Sequence, residues 1–148
     1  MQTDNLHILL ADDDEDDRLF FRDAVEKVQK RTKITFMNDG VQLMDYLEKN
    51  GGSLPQVVFL DLNMPKKNGI ECLREIRSHS LLDDLSVAIY STSSSEEDIE
   101  ETFAQGANIY IKKPRDFAKL KKIMAEVLSL NWKYHTTGRS RENYLLMV

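Results

Sequence analysis

The residues of this chain that can do chemistry stand directly after short apolar runs. The runs occupy residues 6–11, 57–60, 87–90 and 109–111, and they lead into Asp12-Asp13-Asp14, Asp61, Ser91-Thr92 and Lys112-Lys113-Pro114. Short apolar runs of this kind predict buried strands. Ligands of open α/β sheets bind beyond the carboxyl ends of the strands. The sequence therefore predicts one site, built from carboxylates, a hydroxyl and a lysine, along one edge of a parallel sheet.

The predicted site combines acids that repel one another. Two carboxylates about 4 Å apart cost roughly 4 kcal/mol at an effective dielectric constant of about 20. Crowding Asp12, Asp13 and Asp61 therefore requires a cation. Mg²⁺ suits an all-oxygen pocket, because it keeps several waters and accepts a phosphate oxygen as a ligand. With Lys113 as a second positive charge, the pocket suits a phosphoryl group.

Asp61 is the candidate nucleophile of this pocket. A carboxylate can attack phosphorus to form an aspartyl phosphate, and it needs no general base because it is already ionised. Phosphoryl transfer depends mainly on alignment and charge neutralisation, which Mg²⁺ and Lys113 would supply, and Ser91 would donate a hydrogen bond to the phosphoryl oxygens. Taken alone, Asp12-Asp13-Asp14 is equally compatible with a simple helix cap.

Segments of helical period alternate with the apolar runs. A further strand is predicted at 34–37, and apolar residues recur at helical spacing within 19–28, 41–47, 70–76, 99–103 and 117–128. Asp14 and either Ser94 or Ser95 are predicted helix caps, with Asp16 and Asp17 in a first turn that favours acids. Five strands alternating with five helices predict an α/β fold: a doubly wound, five-stranded parallel sheet with helices on both faces.

Length, charge and cysteine content limit the classes of function. A chain of 148 residues is expected to form one domain that needs no disulfide or structural metal. The single cysteine, Cys72, predicts a reducing compartment such as the cytoplasm. No apolar run approaches the ~20 residues that span a bilayer, so no membrane role is expected. The net charge of −5 argues against nucleic acid as a partner.

Taken together, the motifs resemble the receiver domain of two-component response regulators (CheY-like). The matching segments are 8–14, 57–65, 90–92, 106–107 and 110–114, in the family's order and spacing. The likeness covers about residues 5–130. It implies a phosphorylation-dependent signalling switch rather than an enzyme. Such a switch takes a phosphoryl group from a sensor histidine kinase or a histidine phosphotransfer protein and acts on a downstream protein target.

The resemblance assigns roles to the residues at the strand ends. Asp61 would be the phospho-acceptor, and Asp12 and Asp13 the acidic pair, with Asp13 the direct ligand of Mg²⁺. Asn63 would lend its backbone carbonyl to the metal, and Lys113 would contact the phosphoryl group. The bond between Lys113 and Pro114 is expected to be cis, which a proline permits.

The resemblance also implies a switch. Phosphorylation of Asp61 would draw the Ser91 hydroxyl inward, and Tyr110 would turn from solvent into the space behind it, although an outward Tyr110 in an alternating strand is the simpler interpretation. This is a population shift between two states. Thr92, Asn63 and Ser93 occupy positions that modulate the lifetime of the phosphorylated state in the family.

Two further features concern partners. Five acids (Glu96, Glu97, Asp98, Glu100, Glu101) make the predicted fourth helix acidic, and five bases (Lys112, Arg115, Lys119, Lys121, Lys122) surround the start of the last one. A two-fold dimer through the fourth helix, fifth strand and fifth helix would pair these faces; two solvated faces are the alternative. Residues 131–148, too short for an output domain, form a C-terminal extension comparable to those of single-domain receivers beside phytochrome-type kinases. The extension is predicted either to dock on a surface, including a dimer contact, or to be disordered.

Two other functions fit parts of the pattern. A Mg²⁺-dependent phosphohydrolase of the haloacid-dehalogenase type also uses an aspartyl nucleophile after a strand. That class resembles Asp-x-Asp at this point, whereas this chain has Asp61-Leu62-Asn63. A binding module that works without phosphorylation is disfavoured by the intact set of acids, hydroxyl and lysine.

Overall fold

The computed structural model describes residues 6–29, 31–129 and 144–147, the last three of these by their backbone only. The strands are β1 (His7–Ala11), β2 (Lys33–Met37), β3 (Val57–Leu60), β4 (Ser86–Ser91), β5 (Ile109–Lys112) and β6 (Leu145–Met147). The helices are α1 (Glu15–Val28), α2 (Gly40–Lys49), α3 (Gly69–Ser78), α4 (Glu96–Ala104) and α5 (Phe117–Leu128). Strands and helices alternate along the chain, as the sequence predicts.

All strands pair in parallel, in the order β2-β1-β3-β4-β5-β6. The strand order reverses between β1 and β3, because the chain adds β2 on one side of β1 and every later strand on the other. A crevice forms at such a reversal, beyond the carboxyl ends of the strands. Asp12 and Asp61 follow the two strands that border it.

Two apolar cores, one on each face of the sheet, hold these strand ends in place. Alternate residues of β1 point to opposite faces, so that Leu9 belongs to the core with α2, α3 and α4 while Leu10 belongs to the core with α1 and α5. Both faces of the central strands are therefore buried, which explains their continuous apolar sequences. The predicted doubly wound α/β sheet is confirmed.

Helix caps fix where the helices begin. Asp14 caps α1, its carboxylate accepting from the backbone N–H groups of Asp16 and Asp17, and Asp39 caps α2. The α4 cap is Ser95, which accepts from Asp98 N–H, and not the alternative Ser94. Side-chain oxygens at these positions satisfy N–H groups that have no partner within the helix.

Some residues that the sequence predicts on the apolar faces of the helices are exposed in the structure. Leu19 and Val41 are exposed, whereas Phe21 and Leu43 are fully buried. The apolar stripes of these helices are wide enough to fit more than one rotation about the helix axis. Packing against the sheet selects the rotation, and the sequence pattern alone does not.

The sixth strand comes from the C-terminal extension. Its backbone pairs with β5, Tyr110 lying opposite Leu146. The preceding Tyr144 is buried against α4, its hydroxyl 2.8 Å from Thr102 Oγ1 and its ring centroid 5.4 Å from that of Phe103. Docking is thus confirmed for residues 144–147, while the rest of the extension, with Trp132 and Tyr134, lies outside the described residues.

The helices of the described ranges are short or amphipathic, and none has the length and apolar character needed to cross a bilayer.

Candidate functional site

Three strand ends bring the predicted reactive residues together around one ammonium group. Lys113 Nζ lies 2.8 Å from Asp12 Oδ2 and 3.3 Å from Asp61 Oδ2. Asp12 follows β1, Asp61 follows β3, and Lys113 stands one residue beyond β5. Parallel strands end at the same edge of the sheet, so residues far apart in sequence meet there. The predicted clustering of these three side chains is confirmed.

The same edge gathers three carboxylates that fit a metal ion. One oxygen each from Asp12, Asp13 and Asp61 lies within 4.8 Å of the others. Asp12 and Asp61 are buried, whereas Asp13 is exposed, so the group opens to solvent on the Asp13 side. An all-oxygen, acidic donor set with an open side fits a hard divalent cation that keeps several waters.

Burial determines the electrostatics of this cluster. Desolvation raises the pKa of Asp61 to about 6, against the opposing attraction of Lys113, and it raises the pKa of Asp12 in the same way. Burial also disfavours the charged form of Lys113, but the nearby carboxylates of Asp12, Asp17 and Asp61 raise its pKa above the usual value. The lysine stays charged at neutral pH, and Asp12 and Asp61 hold protons more tightly than free aspartates do.

Backbone contacts fix the position of Asp61. Its N–H donates to Ala11 O at 3.0 Å, and its Oδ1 accepts from Asn63 N–H at 3.2 Å. Gly69, the first residue of α3, passes so close that an added Cβ would lie 2.4 Å from Asp61 O. The strand end, the loop and the helix start therefore pack around the Asp61 backbone with no space to spare.

Ser91 and Tyr110 form a buried pair beside this site, joined through Ser93. Ser91 is the last residue of β4, and its hydroxyl oxygen accepts from Ser93 N–H at 3.1 Å. The Tyr110 hydroxyl donates to Ser93 O at 2.9 Å, and burial raises its pKa. Both side chains are fully buried. Tyr110 is buried rather than turned to solvent, because its hydroxyl finds a partner in the β4–α4 loop and its ring joins the core.

The neighbouring loop residues differ in exposure. Thr92 is exposed, whereas Ser93 is half-buried and its hydroxyl donates to Asp98 Oδ2 at 2.6 Å. The expected cis bond between Lys113 and Pro114 is wrong: the peptide is trans. The trans form is favoured for such bonds by about 0.5–1 kcal/mol, and with it Lys113 N–H still donates to Ser91 O at 2.7 Å.

One residue of the site has a contact that sequence reasoning missed. Asp17 Oδ2 lies 2.8 Å from Lys113 Nζ, as close as Asp12. From the sequence, Asp17 was predicted only to occupy a first helical turn, where an acid is favourable. The available signal was that α1 begins directly after β1 and therefore starts at the same edge of the sheet as the other strand ends. The ring centroid of Tyr90, a residue of β4, lies 5.3 Å from the same ammonium.

Comparison with known proteins gives a family. The model of the response regulator receiver domain matches residues 8–125, most of the chain. Among curated relatives, the probable methanogenesis regulatory protein FilR2 of Methanothrix harundinacea is 33% identical over 123 residues, covering 81% of this chain and 79% of its own. The response regulator Rcp1 of Synechocystis is 29% identical over 126 residues, which cover 82% of this chain and 86% of Rcp1.

Solved structures agree with the sequence comparisons. The phosphorylated cyanobacterial phytochrome response regulator RcpA has a TM-score of 0.77 at 31% identity, covering 84% of this chain and 91% of its own. The Mn²⁺-bound form of Rcp1 has a TM-score of 0.75 at 27% identity, covering 90% and 97%. A metal-bound relative and the acidic cluster together indicate divalent-metal binding at the strand ends.

These similarities bear on the alternatives as well. They do not favour the phosphohydrolase, and receiver domains are signalling domains rather than enzymes in the ordinary sense. Their partners are histidine kinases or phosphotransfer proteins on one side and downstream targets on the other. The chain belongs to the response regulator receiver domain family, the phosphorylation-dependent signalling switches of two-component systems.

Proposed function

We propose that this protein accepts a phosphoryl group on Asp61 in a reaction that requires Mg²⁺ and involves Lys113 and Ser91. The observation that supports it most is the position of Lys113, whose ammonium lies between Asp12 and Asp61 at the ends of three strands. The proposal includes a receiver segment over about residues 5–130, with residues 131–148 as an extension of it.

The transfer step follows from the residues at the site. An ionised oxygen of Asp61 attacks phosphorus, the bond from phosphorus to the histidine nitrogen of the donor breaks, and its electron pair leaves with the nitrogen. Lys113 offers its charge to the phosphoryl oxygens. Ser91, beside Lys112 in the β4–β5 register, offers a hydroxyl from the neighbouring strand. These groups act by alignment and charge neutralisation.

The metal would be held by Asp12, Asp13 and Asp61, whose oxygens already lie within 4.8 Å of one another, and by the backbone carbonyl of Asn63. When bound, Mg²⁺ supplies positive charge that lowers the cost of bringing a phosphoryl group to these acids. Asp13 is the exposed member of the set and is proposed as the direct ligand.

The switch is proposed to run through Ser91 and Ser93. Movement of the Ser91 hydroxyl toward a phosphoryl oxygen would break its bond from Ser93 N–H, and Ser93 O is the acceptor of the Tyr110 hydroxyl. Phosphorylation would thereby alter the β4–α4 loop and the surface of α4. Thr92, Asn63 and Ser93 are proposed to set the lifetime of the phosphorylated state.

The acceptor assignment is tested by incubating the protein with phosphoramidate and Mg²⁺. We expect intact mass spectrometry to record one added phosphoryl group, which Asp61→Asn abolishes and which peptide mapping locates at Asp61. Asp45→Asn, a loss of an exposed carboxylate on α2, is the matched control and should not change the yield. Full phosphorylation of Asp61→Asn, or phosphorylation that EDTA does not affect, would contradict the proposal.

A dimer is part of the proposal as well. The acidic face of α4 and the basic residues around α5 are mostly exposed, and the backbone of β6 covers the edge of β5 between them. A two-fold dimer on this side would therefore bring β6 of both copies into or near the contact. Light-scattering mass with and without beryllofluoride tests this, and a monomer in both states at high micromolar concentration would refute it.

A cytoplasmic location is proposed with the same function. Cys72 is the single cysteine and has no second cysteine to form a disulfide with, which fits a reducing compartment.

A further inference from the structure

Asp17 is not among the residues proposed to bind the metal or the phosphoryl group, yet it contacts the central lysine. Its Oδ2 lies 2.8 Å from Lys113 Nζ, closer than Asp61 Oδ2 at 3.3 Å. Asp17 is held in the first turn of α1 by its N–H, which donates to Asp14 Oδ1 at 3.2 Å. A first-turn acid favours the helix without reaching a lysine on another element, so helix stability alone does not account for this ion pair.

The number of acceptors around Lys113 limits what the lysine can do. An ammonium has three N–H groups. Two of them donate to Asp17 Oδ2 and Asp61 Oδ2, and Asp12 Oδ2 lies within ion-pair distance of the same nitrogen. The lysine side chain is only 9% exposed, so water contributes little. A phosphoryl group formed on Asp61 needs one of these N–H groups, and any acceptor that keeps its own bond draws the ammonium away from it.

We propose that Asp17 is a positioning residue of the phosphoryl site, which holds Lys113 on the α1 side of the pocket and competes for its ammonium with the phosphoryl group on Asp61. The inference rests on the proposed function. Asp17 acts through Lys113 and not by touching the reacting atoms. Its negative charge also lies at the edge of the acidic cluster, where it attracts a cation and repels a phosphoryl anion.

The two effects have opposite signs, which a structural role would not produce. Removing the charge with Asp17→Asn should weaken Mg²⁺ binding, because one attracting carboxylate is lost. It should strengthen binding of beryllofluoride at saturating Mg²⁺, because Lys113 is released and one repelling charge disappears. Since Asp17 is partly exposed, each dissociation constant should change by about threefold.

The experiment measures both constants on the full chain, Mg²⁺ by isothermal titration calorimetry and beryllofluoride by ¹⁹F NMR. Asp16→Asn is the matched control, since Asp16 lies in the same helical turn, is exposed and forms no ion pair with Lys113. It removes the same charge from the same helix and should change each constant by less than about 1.5-fold. Asp17→Glu keeps the charge and should return both constants toward those of the unaltered protein.

The outcomes separate the hypotheses. Opposite shifts in Asp17→Asn that are absent from Asp16→Asn support the inference. Shifts in the same direction, or equal shifts in both variants, overturn it while leaving the proposed function intact. Failure of the unaltered protein to bind beryllofluoride with Mg²⁺ would instead overturn the proposed function, and this inference with it.

Discussion

The ammonium of Lys113 forms a 2.8 Å ion pair with Asp12 Oδ2, although the two residues lie near opposite ends of the receiver segment. Asp12 is fully buried and the lysine nearly so. A buried ion pair is costly to form but more costly to break from one side, because the remaining charge is left without a partner. The pair therefore couples the stability of the fold to the chemistry of the site.

Removing the lysine should destabilise the metal-free protein. Lys113→Met leaves Asp12, Asp61 and the nearby Asp17 without their shared cation, and we expect the free energy of unfolding at pH 7.5 to fall by about 3 kcal/mol. Lys112→Met, an exposed neighbour at the end of β5, should change it by less than about 0.5 kcal/mol. Urea denaturation in EDTA measures both. Equal stability of the two variants would show that the ion pair does not hold the strand ends together.

The raised pKa of Asp61 makes metal-free stability depend on pH. Burial raises this pKa from the ordinary value of an aspartate to about 6, so the folded state binds the proton more tightly than the unfolded state. Its contribution to stability is fully present below pH ~4 and is lost as the pH rises through about 6. Asn does not titrate, so Asp61→Asn does not lose stability in this way. We expect the free energy of unfolding of this variant at pH 7.5 to exceed that of the unaltered protein by about 1–2 kcal/mol.

The measurement is urea denaturation in EDTA between pH 4 and 8. The difference in unfolding free energy between Asp61→Asn and the unaltered protein should grow across this range. A constant difference would mean that Asp61 does not titrate there. Added Mg²⁺ should stabilise the unaltered protein more than the variant, since a ligand that binds only the folded state adds to its stability.

Gly69 allows the close approach of α3 to the acceptor strand. A Cβ at this position would meet Asp61 O at 2.4 Å and Leu62 Cα at 2.8 Å, and neither backbone atom can move without moving the acceptor. Gly69→Ala should cost about 2–3 kcal/mol of stability and lower the rate of phosphorylation by phosphoramidate. Gly52→Ala, where no atom lies within 4 Å of the added Cβ, should change stability by no more than about 1 kcal/mol. Unchanged phosphorylation in Gly69→Ala would contradict the prediction.

Tyr144 fastens the sixth strand to α4. Its hydroxyl shares a buried 2.8 Å hydrogen bond with Thr102 Oγ1, and we expect Tyr144→Phe to lower the free energy of unfolding by about 1 kcal/mol. A double-mutant cycle with Thr102→Val isolates the bond from other effects of each change. A coupling energy of about 1 kcal/mol is expected. Strict additivity of the two substitutions would refute a direct interaction.

The sequence determined the order of elements and the ends of the central strands. Continuous apolar runs are buried wherever they pack, so β1, β3, β4 and β5 and the residues that follow them were predictable from local pattern. Asp14 as a cap was predictable for a similar reason, since capping depends on atoms only two or three residues away.

Tertiary structure decided which side chains meet. The sequence placed Asp17 in a helical turn, but only the packing of α1 beside the end of β5 brings it to Lys113. Tyr110 is buried rather than exposed because a loop from another strand accepts its hydroxyl. The pairing of residues 145–147 with β5 is likewise a contact across a long sequence separation. Local patterns record what a residue prefers among its neighbours in sequence, whereas ion pairs, buried hydroxyls and strand partners depend on neighbours that only the folded chain supplies.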